Sequence, residues 1–182
     1  METRRILLRG VDPKDYPEMF VWRNSAKFRN FVHYNSSTIS FEDFVREFER
    51  DAKVRPHQYL IERKETGELI GLIFSHTLSK TNGYCFINLF ISEKYERKGF
   101  GPEAFALLFC HLFDSCLFLH KIYLEVFEYN QFSLSSLTTA GFKEEGRFKE
   151  HKWHKGKRYD VIRFAAYRDS VPRFAKIIEK FF

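Results

Sequence analysis

The segment ISEKYERKGFGPEA, residues 91–104, constrains this chain more than any other part of it. An apolar strand runs in and a long apolar helix runs out, so the backbone has to turn sharply between them. Gly99 and Gly101 supply that freedom and let the main chain come close to a ligand. Amides from Arg97 to Pro102 can face inward, except that Pro102 has no N–H. With the helix taken to start at Pro102, Glu103 and Ala104 add further free amides in its first turn. Converging donors at the positive end of a helix suit a pyrophosphate, and Arg97 and Lys98 add attraction at longer range. The loop matches neither the Rossmann glycine pattern nor the Walker lysine followed by Ser or Thr. Two glycines before a helix are equally compatible with an ordinary loop.

Around this segment the chain reads as strands and helices with clear punctuation. Arg5–Arg9 is a first strand. Asp12 caps a helical segment that has Pro13 at its start, and Ser40 caps an amphipathic helix carrying Phe41, Phe44, Val45 and Phe48. The stretch from Phe28 to Thr38 reads as irregular. Strands follow at Gln58–Arg63, Glu68–Leu78 and Tyr84–Ile91, with turns at Thr66-Gly67 and Asn82-Gly83. After the glycine loop come a helix from about Pro102 to Phe118, a strand over His120–Phe127 and a short helix over Ser133–Thr139. Gly141 is suited to a left-handed cap. Strands near Gly146–His154 and Lys157–Tyr167 turn at Lys155-Gly156, and Val171–Phe182 is a short amphipathic helix. No linker or repeat divides residues 1–182, so they read as a single α/β (mixed α+β) domain with helices on both faces of its sheet.

Residues 125–142, EVFEYNQFSLSSLTTAGF, repeat the strand-to-helix arrangement. Asn130 can donate and accept through its carboxamide and so hold an extended, amide-bearing ligand; Ser133 can bond the same ligand or a phosphate. Capping of the turn and of the helix explains both residues as well.

With these motifs in order, the sequence resembles the Gcn5-related N-acetyltransferase (GNAT) family, over about residues 5–167. It looks closest to the RimJ/RimL branch, which acetylates ribosomal-protein N-termini. The family's pyrophosphate stretch, Arg/Gln-x-x-Gly-x-Gly/Ala, is matched by Glu96 to Gly101, with Glu96 where Arg or Gln is usual. Asn130, Ser133, Gly141 and Phe142 match the family's second motif, and Glu145-Gly146, Gly156 and Asp160 follow the branch's closing pattern. The resemblance implies a mostly antiparallel seven-stranded sheet. Its two central parallel strands, near 84–91 and 120–127, splay apart at one end. It further implies acetyl-CoA as the cofactor, its pantetheine arm pairing with free backbone at Leu89, Phe90 and Ile91. The remaining cofactor contacts would come from Arg97, Lys98, Gly99, Phe100, Gly101, Glu103, Ala104, Asn130 and Ser133.

The implied reaction is direct acetyl transfer to a primary amine, which needs a proton acceptor and stabilisation of developing negative charge. The usual Tyr of the short helix is Leu137 here, and the usual Glu before the loop is Phe86. Glu125 and Ser133 are the catalytic candidates, with Tyr123, Asn88 and His76 behind them. The resemblance places the acceptor site at Trp22, Arg23, Phe31, His33 and Tyr34, with Tyr84 and residues near Trp153. Core packing explains Trp22 and Phe31 as well. The acceptor expected from the branch is a protein N-terminus. A small-molecule amine (amino sugar, polyamine or antibiotic) and a non-catalytic acyl-CoA-binding module are the alternatives.

Composition narrows the rest. The formal charge of +6 is spread along the chain, tight only at Lys152–Arg158, and no nucleic-acid-binding motif accompanies it. The partner is therefore the amine acceptor, with no nucleic acid and no membrane, and the chain is expected to be a cytoplasmic monomer or homodimer. Cys85, Cys110 and Cys116 form no CxxC pair and read as buried thiols. His151 and His154 alternate to opposite faces of a strand, so no metal site is expected.

Overall fold

The computed structural model describes residues 1–32, 37–55 and 57–181. Seven strands form one sheet: β1 (Ile6–Arg9), β2 (Gln58–Arg63), β3 (Leu69–Ser79), β4 (Tyr84–Ile91), β5 (Lys121–Phe127), β6 (Lys143–His154) and β7 (Lys157–Tyr167), in spatial order β1-β2-β3-β4-β5-β7-β6. Every neighbouring pair is antiparallel except β4 and β5. A parallel pair needs a crossover, and α4 (Phe100–Ser115) makes it. The expected mixed fold, with one parallel pair at the centre of an antiparallel sheet, is the one observed.

Strand alternation feeds two cores. Ile61, Ile73, Cys85, Ile87, Ile122 and Ile162 face α4, which is apolar nearly all round and so is buried on most sides. Leu60, Leu72, Phe74 and Phe90 face the opposite layer. That layer holds α1 (Tyr16–Asn24), α2 (Ala26–Phe31) and α3 (Phe41–Ala52). Asp12 and Asp15 form a capping box ahead of α1, and Ser40 accepts from the Asp43 amide at the start of α3. Part of the stretch expected to be irregular is α2: Ser25 caps it by accepting from the Phe28 amide.

The short α5 (Gln131–Thr139) follows β5, and α6 (Val171–Glu179) packs back on the body. Phe174 of α6 lies against Phe105 and Phe109 of α4 and against Phe142, with the Phe109 and Phe174 ring centres 4.3 Å apart. Arg168 closes the far end of α4, donating to the carbonyls of Phe113 at 2.7 Å, Cys116 at 3.1 Å and Leu119 at 2.8 Å. Cys85 and Cys116 are buried free thiols and Cys110 is half-buried; burial pushes the Cys85 thiol up to about 12. Among the described residues no helix is long and apolar enough to cross a membrane.

Candidate active site

β4 and β5 pair only through Tyr84–Lys121, Cys85–Ile122 and Phe86–Tyr123. Beyond Phe86, β4 stays on β3 as far as Ile91, and β5 stays on β7 as far as Phe127. The sheet therefore opens between Asn88 and Glu125, and strand edges in such an opening need partners. Gly71 of β3 keeps β3 and β4 tight beside the opening, because a Cβ there would run into the Phe90 carbonyl oxygen. The Ile91 carbonyl is already engaged: it accepts from the Lys27 ammonium of α2. The expectation of free backbone at Leu89, Phe90 and Ile91 thus fails at that carbonyl, and it fails at Phe90, which stands opposite Leu72 in the register of the Ser92–Ile70 hydrogen bond and so turns its main chain toward β3. The Phe90 ring is buried against Trp22 and Phe28.

The glycine loop lies past the open end of β4. Arg97 (φ 58°) and Gly99 (φ 83°) are left-handed, and Gly99 caps α4. Left-handed residues alternating with ordinary ones build amide-lined concavities. The helix starts at Phe100, two residues before the expected Pro102, and this corrects the list of amides. Phe100 and Gly101 hold the free first-turn donors. The Glu103 amide already donates to the Gly99 carbonyl at 3.3 Å, and Ala104 lies deeper in the helix. Pro102 sits in the first turn, where a missing N–H costs nothing. The Glu103 side chain is fully buried and receives Thr3 Oγ1 and the Arg5 guanidinium, with Arg5 Nε at 2.9 Å. It anchors α4 to the segment just before β1. The Phe100 ring is buried beside Tyr95 and under Arg5, so only its amide faces the loop.

The second motif meets the loop. Arg97 lies over the ring of Phe132 in α5, 5.8 Å from its centre. Asn130 caps α5, its Oδ1 accepting from the Ser133 amide at 3.2 Å. Capping therefore occupies that oxygen and leaves the Nδ2 group and the half-buried Ser133 hydroxyl toward the first turn.

On the opposite face of the sheet lies a cavity of about 820 Å³. Its walls include Trp22, Phe28 and Phe31 from α1 and α2, and Phe44 and Phe48 from α3. Phe74, His76, Phe86, Asn88, Glu125 and Phe127 form its floor, where the strands part. Trp22 is buried and Phe31 half-exposed, its ring 5.7 Å from that of Tyr129. Arg23 is buried and forks onto Glu47 at 2.8 and 3.1 Å. Tyr84 does not line the cavity. It shares the face of Phe86 and Asn88 but stands at the closed end of the parallel pair, packed on Phe86 and Tyr123. His33 and Tyr34 lie outside the described residues.

Glu125 accepts from Arg163 Nε at 3.0 Å and Nη2 at 2.6 Å. His76 stacks on Phe86 at 5.3 Å; burial chiefly, and then Arg55, push its pKa below the usual 6.5, while the Glu125 charge opposes them. That shift favours the neutral imidazole. Tyr129 donates to the Asn30 carbonyl at 2.6 Å and stacks on His154 at 4.4 Å, and burial pushes its hydroxyl up to about 12. Sequence reasoning missed Lys27, Tyr129 and Arg163, whose partners lie far away in the chain; only the odd carboxylate at Glu96 gave a hint. Among the described residues no cluster of His, Cys, Asp and Glu could hold a metal ion.

Comparison with known proteins agrees with this architecture. Residues 5–143 match the family model described as Acetyltransferase (GNAT) domain. The chain is 30% identical over 172 residues to the uncharacterized N-acetyltransferase p20 of Bacillus licheniformis, covering 90% of this chain and 93% of that protein. It is 28% identical over 167 residues to the uncharacterized N-acetyltransferase YoaA of Bacillus subtilis (strain 168), covering 88% and 92%. Among solved structures, spermidine N-acetyltransferase from Vibrio cholerae, in complex with CoA and spermine, superposes with a TM-score of 0.79 at 21% identity, covering 92% of this chain and 98% of that one. A GNAT acetyltransferase from Bacillus anthracis gives 0.78 at 19% identity, covering 93% and 98%. With the family pattern running through most of its length and the opened sheet at its centre, the chain is an acetyltransferase of the GNAT family.

Proposed function

We propose that this enzyme transfers an acetyl group from acetyl-CoA to the primary amine of a small molecule. The observation that carries the reading is the position of the opening: it lies between an amide-lined loop on one side and an aromatic cavity on the other. The loop suits a diphosphate, with the Phe100 and Gly101 amides at the positive end of a sixteen-residue helix and Gly99 holding the left-handed turn. Arg97, Lys98, Asn130 and Ser133 complete that side, and the open edge of β4 around Leu89 takes the arm. Bound acetyl-CoA supplies an activated thioester.

The chain's own residues do the rest. The rings of Trp22, Phe28 and Phe74 exclude water from the acceptor side, and Asn88 and Glu125 orient the amine at the opening. Neutral His76 or Glu125 takes up the proton that the amine loses, directly or through one water. Holding the two reactants together supplies much of the acceleration.

The sequence resemblance leads to a protein N-terminus. A walled cavity of about 820 Å³ fits a small molecule better, and structurally similar proteins include a spermidine acetyltransferase. The test is thiol release from acetyl-CoA over a panel of polyamines, amino sugars and short peptides. Turnover of one or more small amines is expected. Turnover of peptides alone would restore the protein acceptor, and tight CoA binding with no turnover of any amine would leave a binding module.

A further inference from the structure

Glu96 puts a carboxylate at the entrance of a loop whose free amides suit an anion. Left bare, it would repel a diphosphate and oppose the amides and the helix end. Among the described residues the cations in and beside the loop contact groups other than Glu96. Arg97 lies over Phe132, Lys98 lies over Tyr95, and Arg5 is spent on Glu103 and on the Lys98 carbonyl. Among the described residues the ion partner of Glu96 comes from outside the loop: Lys27, on α2. Its side chain is 16% exposed, its ammonium also holds the Ile91 carbonyl, and it lies 5.1 Å from the centre of the Phe90 ring. A backbone carbonyl, a carboxylate and a ring keep this lysine where it is, so the pair is not a casual surface contact.

We propose that Lys27 is a cofactor-site residue, neutralising Glu96 and so turning a carboxylate-bearing loop into one that accepts a diphosphate. The proposal rests on the reading that this loop holds the diphosphate of acetyl-CoA. It also explains how the chain tolerates Glu96: the positive charge arrives from an early helix, 69 positions away, rather than from the loop.

The test uses the full chain and two probes, CoA and pantetheine, which lacks all the phosphates, titrated by calorimetry. Lys27→Met is expected to weaken CoA binding about tenfold or more, an effect that shrinks as salt rises. Glu96→Gln in the same chain should bring the affinity back to within about threefold of the starting value, since no carboxylate then needs a partner. Pantetheine affinity should move less than about threefold throughout. Lys27→Arg should bind CoA normally. Should Lys27→Met not fold, the Lys27→Gln/Glu96→Gln double variant compared with Glu96→Gln alone serves instead: equal CoA affinity is expected, and a loss in the double variant would overturn the proposal. CoA binding indifferent to Lys27→Met, no recovery in the double variant, or an equal loss for pantetheine would overturn the proposal and leave Lys27 as a prop for Ile91. If the unaltered chain binds CoA no better than pantetheine, the loop reading itself falls.

Discussion

Arg163 on β7 grips Glu125 on β5 through two donors to one carboxylate oxygen, at a point where the two residues face each other in register. The grip sits at the floor of the cavity, with the Arg163 guanidinium 5.0 Å from the centre of the Phe86 ring. An orienting role for this carboxylate makes a kinetic prediction. Glu125→Gln should lower kcat about 10²-fold while acetyl-CoA affinity stays within about twofold. Arg163→Met should lower kcat by a smaller factor. Steady-state rates beside calorimetric CoA affinities check both, and full activity in Glu125→Gln would remove it from the chemistry.

Histidine burial sets a pH dependence. His57, His76 and His154 are all pushed below 6.5, burial being the largest cause in each. The unfolded chain therefore binds protons first as pH falls. Stability from these groups is complete above about 6.5 and is lost as pH drops through their folded values. Melting temperature should fall between pH 7 and pH 5, and fall less in His76→Gln. If neutral His76 takes the proton, the acid side of the rate profile should also disappear in that variant.

Gly71 has no room for a side chain because the obstacle is main chain, the Phe90 carbonyl, which cannot swing aside. Gly71→Ala should cost about 2–3 kcal/mol in urea denaturation and widen the strand spacing beside the opening. Gly101→Ala meets only the Leu89 side chain at 3.5 Å and the Ile91 side chain at 3.7 Å, both ordinary contacts, and should be neutral or stabilising by up to about 1 kcal/mol.

Asn130 can be tested for its two roles separately. Asn130→Ala removes the cap and should cost about 1 kcal/mol of stability along with CoA affinity. Asn130→Ser keeps a capping oxygen but removes the carboxamide donor, so stability should return while affinity stays low. Recovery of both together would make Asn130 a cap alone.

Much of the architecture was legible because its punctuation is local. Tyr84–Ile91 is bounded by Asn82-Gly83 and by the glycine loop, and the structure keeps those limits. The start of α4 was misread because Pro102 was taken as the first helical residue, and proline is tolerated throughout the first turn. That shift of two residues turned Glu103 from a donor of a free amide into a buried anchor. The short α2 escaped because six residues carry too little periodicity to register. Tyr84, placed at the acceptor site by the resemblance, stands at the closed end of the parallel pair, and no local pattern marks which end opens. Lys27–Glu96 and Arg163–Glu125 are contacts between distant segments, and no local pattern announces them.

The buried carboxylate of Glu103 has an evolutionary corollary. Its partner Arg5 is 98 positions away, yet the two form one electrostatic unit beneath the mouth of the loop. Losing Arg5 alone strands the Glu103 charge out of water, which is among the costlier single changes a domain can suffer. Across descendants of this chain the two positions should drift in step, a matched apolar couple replacing the ionic one or neither changing at all.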